Sequence, residues 1–141
     1  HVDILTPLLG KPDTTPIALN ALNTFAQPVR FLEYLLEDIQ PAAIIYGSGV
    51  LVNVPSPGRF ALHKLVVSQR RQVASQQKSR KDIFQAEQLI TALLEVRPGE
   101  LLLAYDAANR MPEKFLEQLI TGIELLSVDI RLQFNELIES A

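Results

Sequence analysis

The sequence predicts an α+β fold, with short strands and a β-hairpin in the N-terminal part followed by a bundle of four to five helices. Three observations carry that prediction. β-branched runs cluster before residue 55, the breaker Pro55-Ser56-Pro57-Gly58 follows, and beyond it apolar residues recur at helical rather than alternating spacing. Strands gathered first and helices afterwards favour segregated layers over an alternating parallel sheet. At 141 residues the chain has the size of one domain. Within it, residues 1–56 read as sheet and hairpin, and residues 57–141 as the helical part packed with them.

Taken in order, Val2-Asp3-Ile4-Leu5 reads as a strand ended by Thr6-Pro7. Residues 10–28 hold Gly10, Pro12, Asp13, Pro16 and Pro28 without sustained periodicity, which predicts a long loop with one short extended stretch. The run from Val29 to Leu36 fits a short helix or a buried strand, and the helix is favoured. Ala43–Tyr46 and Val50–Val54 are strand-like runs joined by Gly47-Ser48-Gly49, whose glycines accept positive φ, so they predict a hairpin. Helical segments follow near 57–71, 79–96, 99–109 and 112–126, with a last amphipathic piece to 139. Pro98 and Pro112 stand where helices start, Ser79 is placed to cap a helix with Asp82 three residues on, and Gly122 is a weak point near the end of the fourth segment. Phe115, Leu116, Leu119, Ile120 and Ile123 form an apolar stripe that suits core packing or assembly into a homo-oligomer.

Composition narrows the chemistry. There is no cysteine and there are only 2 histidines, which removes disulfides, thiolate nucleophiles and His- or Cys-based zinc sites, and a reducing cytoplasm is the expected compartment. No apolar run is long enough to span a membrane. Charge is unevenly spread: residues 1–58 carry five acids and two bases, 59–81 seven bases and no acid, and 82–141 eleven acids and four bases. This basic island is either an anion site or a solvated basic helix and turn.

Individual residues keep two readings each. Asp3, on a strand between apolar neighbours, is either a metal-ligating carboxylate or a solvent-facing acid. Lys64 lies beside the apolar stripe of its helix, with Phe60, Ala61, Val67 and Ser68 as turn neighbours, and either snorkels to water or holds a phosphate. His63, about 100° round the helix, is read as structural or exposed. Arg70, Arg71, Lys78, Arg80 and Lys81 flank a polar turn, Gln72 to Ser79, where cations would converge on a helix N-terminus. Gly47-Ser48 lacks a following Asp-x-Asp or any Gly-Lys-Ser/Thr, so it reads as a turn.

Taken together, Val2-Asp3-Ile4-Leu5-Thr6-Pro7, Tyr46-Gly47-Ser48-Gly49-Val50, Pro57-Gly58-Arg59-Phe60-Ala61-Leu62-His63-Lys64-Leu65 and Lys78-Ser79-Arg80-Lys81-Asp82 with Gln85-Ala86 and Leu89-Ile90 carry a resemblance. In their order and spacing the chain resembles the C-terminal part of bacterial nucleotidyltransferase-fold proteins of the polymerase-beta-like superfamily, related to abortive-infection nucleotidyltransferase toxins. The resemblance implies transfer of a nucleotide from an NTP, with Mg, to an acceptor that is RNA, protein or a small molecule. It implies that Asp3 is the third metal-binding carboxylate and, with Lys64, catalytic. It also implies that the basic island, through Arg59, Lys64, Arg70, Arg80 and Lys81 with Asp82, lines the nucleotide or phosphate side of the cleft. The family's Gly-Ser and Asp-x-Asp elements do not precede Asp3 here, so the chain is expected to be a fragment that contributes one metal ligand and does not catalyse alone. Gln85 stands where related toxins carry an aspartate. The alternative is a non-catalytic module whose island 59–81 binds nucleic acid or an acidic partner.

Overall fold

The computed structural model describes residues 3–10, 15–70 and 76–140. Strand β1 (Ile4–Pro7) pairs in parallel with β3 (Thr24–Val29), which pairs antiparallel on its other edge with β2 (Ile17–Leu19), giving the order β1-β3-β2. Strands β4 (Ile39–Ile44) and β5 (Val50–Pro55) form a separate hairpin, and the short helix α1 (Leu32–Leu36) lies between the two sheets in sequence. Helices α2 (Pro57–Gln69), α3 (Gln76–Val96), α4 (Pro98–Ala108), α5 (Glu113–Glu124) and α6 (Val128–Glu139) complete the chain. This is the expected α+β class.

The hairpin and the five long helices arise where local signals are strong. Gly47 and Gly49 turn the hairpin with φ of 58° and 85°, and Gly49 N–H donates to the Tyr46 carbonyl at 3.0 Å. Pro57 and Pro98 occupy first turns, where a missing N–H is harmless.

Two expectations are corrected, and a third is decided between its two readings. The stretch 10–28 holds two strands where one extended piece was expected, and β3 is the central strand of its sheet. Its parallel partner β1 lies about twenty residues earlier, and Pro28 disguises it. The β2 register runs from Thr24 to Ala26, so Pro28 lies beyond the β2–β3 ladder, a position in which a strand proline is tolerated. Ser79 is not a helix cap, since α3 already runs from Gln76, and its Oγ donates instead to the Ser68 carbonyl on α2 at 3.0 Å. The apolar stripe of α5 takes the core-packing role: Phe115 and Leu119 are fully buried and Ile123 nearly so, while Ile120 alone of the five is exposed.

The core is built around α2, which packs against α3, α4 and α5 through Ala61, Leu62, Leu65 and Val66, all fully buried. Gly122 lets α5 approach α2, because a Cβ there would stand 2.7 Å from the Leu65 Cβ. Phe31 enters α1 with φ of 62°, an uncommon conformation for an aromatic residue, while its ring stacks edge-on to Phe115 at 5.2 Å. Tyr34 Oη donates to the Ala104 carbonyl at 2.9 Å and ties α1 to α4. Among the described residues no helix is long and apolar enough to cross a membrane.

Candidate functional site

Helices α2 and α3 run antiparallel, and three contacts give their register: Ser68 meets Ser79, Lys64 meets Asp82, and Phe60 lies alongside Gln85. At the middle contact Lys64 Nζ donates to Asp82 Oδ1 at 2.7 Å. The Asp82 side chain is 5% exposed and that of Lys64 22%, so the pair sits at the floor of a cleft. The cleft, about 440 Å³, is lined by Phe60, Lys64, Lys78, Lys81, Asp82 and Gln85. Three lysines thus face one aspartate, a surplus of positive charge in a concave site. Lys64 Nζ also stands 5.3 Å from the centroid of the Phe60 ring, within cation–π range.

Helical periodicity explains the membership. Lys78, Lys81, Asp82 and Gln85 recur at three- and four-residue spacing, which sets them on one face of α3, whereas Arg80 is two residues from Asp82 and falls on the opposite side. Phe60 and Lys64 are one turn apart on α2. That same spacing was available in the sequence for Phe60, Lys78 and Gln85, but each gains meaning only once the two faces are known to oppose each other. Asp82 is not the first-turn acid that its position after Ser79 suggested. It lies further into α3 and is buried, with Lys64 compensating its charge.

Other residues singled out from the sequence lie elsewhere. The Arg59 guanidinium is buried, donates to the Tyr34 carbonyl at 2.8 Å and to Glu37 Oε2 at 2.6 Å, and stacks 5.0 Å from the Tyr34 ring. Burial pushes the Tyr34 phenol well up, and the Arg59 charge opposes that shift. Arg70 covers the Phe31 ring at 5.5 Å, and its partial burial lowers the guanidinium's proton affinity, aided by Arg30. Asp3 is exposed just before β1, whose chief neighbours are β3 and α1. Arg71 and the turn residues 72–75 lie outside the described residues. His63 points into the core: burial lowers its imidazole from 6.5 to about 4, a backbone hydrogen bond to Arg30 opposes the shift, and Nε2 has no partner among the described residues.

The N-terminus of α2 is held by a distant acid. Glu100 Oε1 on α4 accepts from the Gly58 N–H at 3.1 Å, which places a carboxylate at the positive end of the helix that carries Lys64. A Cβ at residue 58 would lie 2.8 Å from the Glu100 carbonyl oxygen, so the contact requires glycine.

A nucleotidyltransferase family model matches residues 1–110, which include every residue of the lysine cleft. The chain belongs to the nucleotidyltransferase family. No curated protein and no solved structure matches it. The matched span covers the strands, the hairpin, α2, α3 and α4. Among the described residues no three His, Asp or Glu side chains group closely enough to hold a metal ion. Asp3 alone cannot enclose a magnesium ion, and Asp82 is already engaged by Lys64, so among the described residues there is no complete donor set for such an ion.

Proposed function

We propose that the cleft between α2 and α3 binds the polyphosphate of an NTP during nucleotidyl transfer. The observation that carries this reading is the convergence of Lys64, Lys78 and Lys81 on one concave site, anchored by the buried Asp82. In the transfer an acceptor oxygen bonds to the α-phosphorus, the bond from that phosphorus to the α–β bridging oxygen breaks, and pyrophosphate departs with the electron pair. The acceptor's proton passes to water. Lysines at this position would neutralise charge on the triphosphate and on the departing pyrophosphate. Asp3 is proposed as one carboxylate of a magnesium site whose other ligands are not among the residues described, and the acceptor is RNA, a protein or a small molecule.

The basic island supports a small anion better than a long nucleic-acid track. Arg59 and Arg70 are occupied by packing against Tyr34 and Phe31, and Arg80 faces away from the cleft, so its charges diverge rather than forming one stripe. Titration calorimetry with inorganic triphosphate tests the reading. Binding should weaken about tenfold or more in Lys81→Ala and fall further with added salt. Wild-type protein that binds no triphosphate, or Lys81→Ala that binds it as tightly, overturns it.

A further inference from the structure

The lysine cleft does not end at Phe60. On the far side of that ring a second cleft, about 330 Å³, is lined by Val54, Pro55, Pro57, Phe60 and Leu89. Its lining is almost wholly apolar, and Phe60 is common to both clefts. The antiparallel register sets the two clefts in line along the seam of α2 and α3, with Phe60 between them. Lys64 and Phe60 follow each other along α2, while Lys81, Gln85 and Leu89 follow each other at four-residue intervals along α3. From Lys81 to Leu89 is eight residues, about 12 Å along the helix axis. A cationic end and an apolar end are thus joined through a half-buried aromatic ring.

We infer that the apolar end is a nucleobase platform, in which Phe60 stacks against the base of a nucleotide whose phosphates lie among Lys64, Lys78 and Lys81. This rests on the polyphosphate reading above and adds what the site selects. A ligand that satisfies both ends must be an extended anion with a flat apolar head, the description of a nucleoside polyphosphate rather than of inorganic phosphate or an acidic peptide. Among the described residues, the apolar end is lined by Val54, Pro55, Pro57, Phe60 and Leu89, none with a hydrogen-bonding side chain, so the base is read chiefly by its π-face. Such a platform tolerates every base and favours the larger purine surface over the pyrimidine.

Calorimetry on the full chain with ATP, CTP and inorganic triphosphate tests the inference. Wild-type protein should bind ATP more tightly than CTP, and CTP more tightly than triphosphate. Phe60→Leu keeps an apolar side chain of similar reach and removes the ring. It should weaken ATP about tenfold while leaving triphosphate within about twofold, and Phe60→Tyr should restore ATP binding. ATP bound no more tightly than triphosphate by the wild type overturns the base platform and leaves the polyphosphate site standing. Equal losses for ATP and triphosphate in Phe60→Leu also overturn it, since the ring would then serve only to position Lys64. Failure of triphosphate to bind the wild type overturns the polyphosphate reading and the inference with it.

Discussion

The helical half from Pro57 onward encloses a core of fully buried large side chains, whereas the strands leave most of theirs facing solvent. Leu62, Leu65, Ile90, Leu101, Phe115, Leu119 and Phe134 are all 0% exposed, while Phe25 is 65% exposed and Leu51 77%. The two halves therefore contribute differently: the bundle supplies the packed core that holds the fold, and the strands add local order beside it. The lysine cleft belongs to the bundle. Its floor is a tertiary contact between two well-packed helices, which is what holds Lys64 at a defined distance from Asp82.

Substitutions in the two halves should separate this contrast sharply. The largest effect is expected from Phe115→Ala, which removes a ring packed against Phe31 and Tyr34 and should lower unfolding free energy by about 4 kcal/mol in urea titrations. A loss below about 1 kcal/mol would mean that the core is not centred on α2 and α5. Next comes Lys64→Ala, which removes the hydrogen-bonded lysine from the buried Asp82 carboxylate and should cost about 3 kcal/mol. At the corresponding ion pair nearer the strands, Glu37→Gln should cost less than about 1 kcal/mol, because the Glu37 side chain is 69% exposed. Equal losses at the two pairs would erase the distinction between them.

A pH titration gives the third effect. The folded His63 imidazole takes a proton only near 4, whereas the unfolded chain takes it near 6.5, so between those values the unfolded state holds more protons. This contribution to stability is complete above 6.5, is lost as pH falls toward 4 and levels off below it. By pH 5 the loss should be on the order of 2 kcal/mol, and in His63→Leu that component of the pH slope should vanish. An unchanged slope in the variant would assign acid sensitivity to other groups. The smallest effect is expected from Phe25→Ala in β3, within about 0.5 kcal/mol in the same urea titrations. A loss comparable to Phe115→Ala would show that the exposed sheet face is covered in solution.

What could be read before the structure follows the same division. Every long helix was legible, because turn periodicity, prolines at starts and the Pro55–Gly58 breaker are local signals written in adjacent residues. The Gly47-Ser48-Gly49 hairpin was legible for the same reason. Strand β3 was not, since its parallel partner β1 lies about twenty residues away and nothing local announces that pairing. The site was half legible. Lys64, Lys81 and Asp82 could be singled out by type and neighbourhood, yet Arg59, Arg70 and Arg80 carry the same charge as the two lysines and could not be told apart from them.

By itself, then, the sequence determined the α+β class, the helical bundle and a concentration of positive charge around residues 59–81. Only the tertiary structure decided which of those charges converge. Lys64 and Asp82 are 18 residues apart and meet through the antiparallel register of α2 and α3, Arg59 is turned toward Glu37, and Gly58 is capped by Glu100 from 42 residues away. The physical reason is range. Backbone hydrogen bonds and capping act between near neighbours and leave local patterns, whereas the burial of Asp82 and the closing of the groove around Phe60 depend on how whole helix faces dock, which no short segment encodes alone.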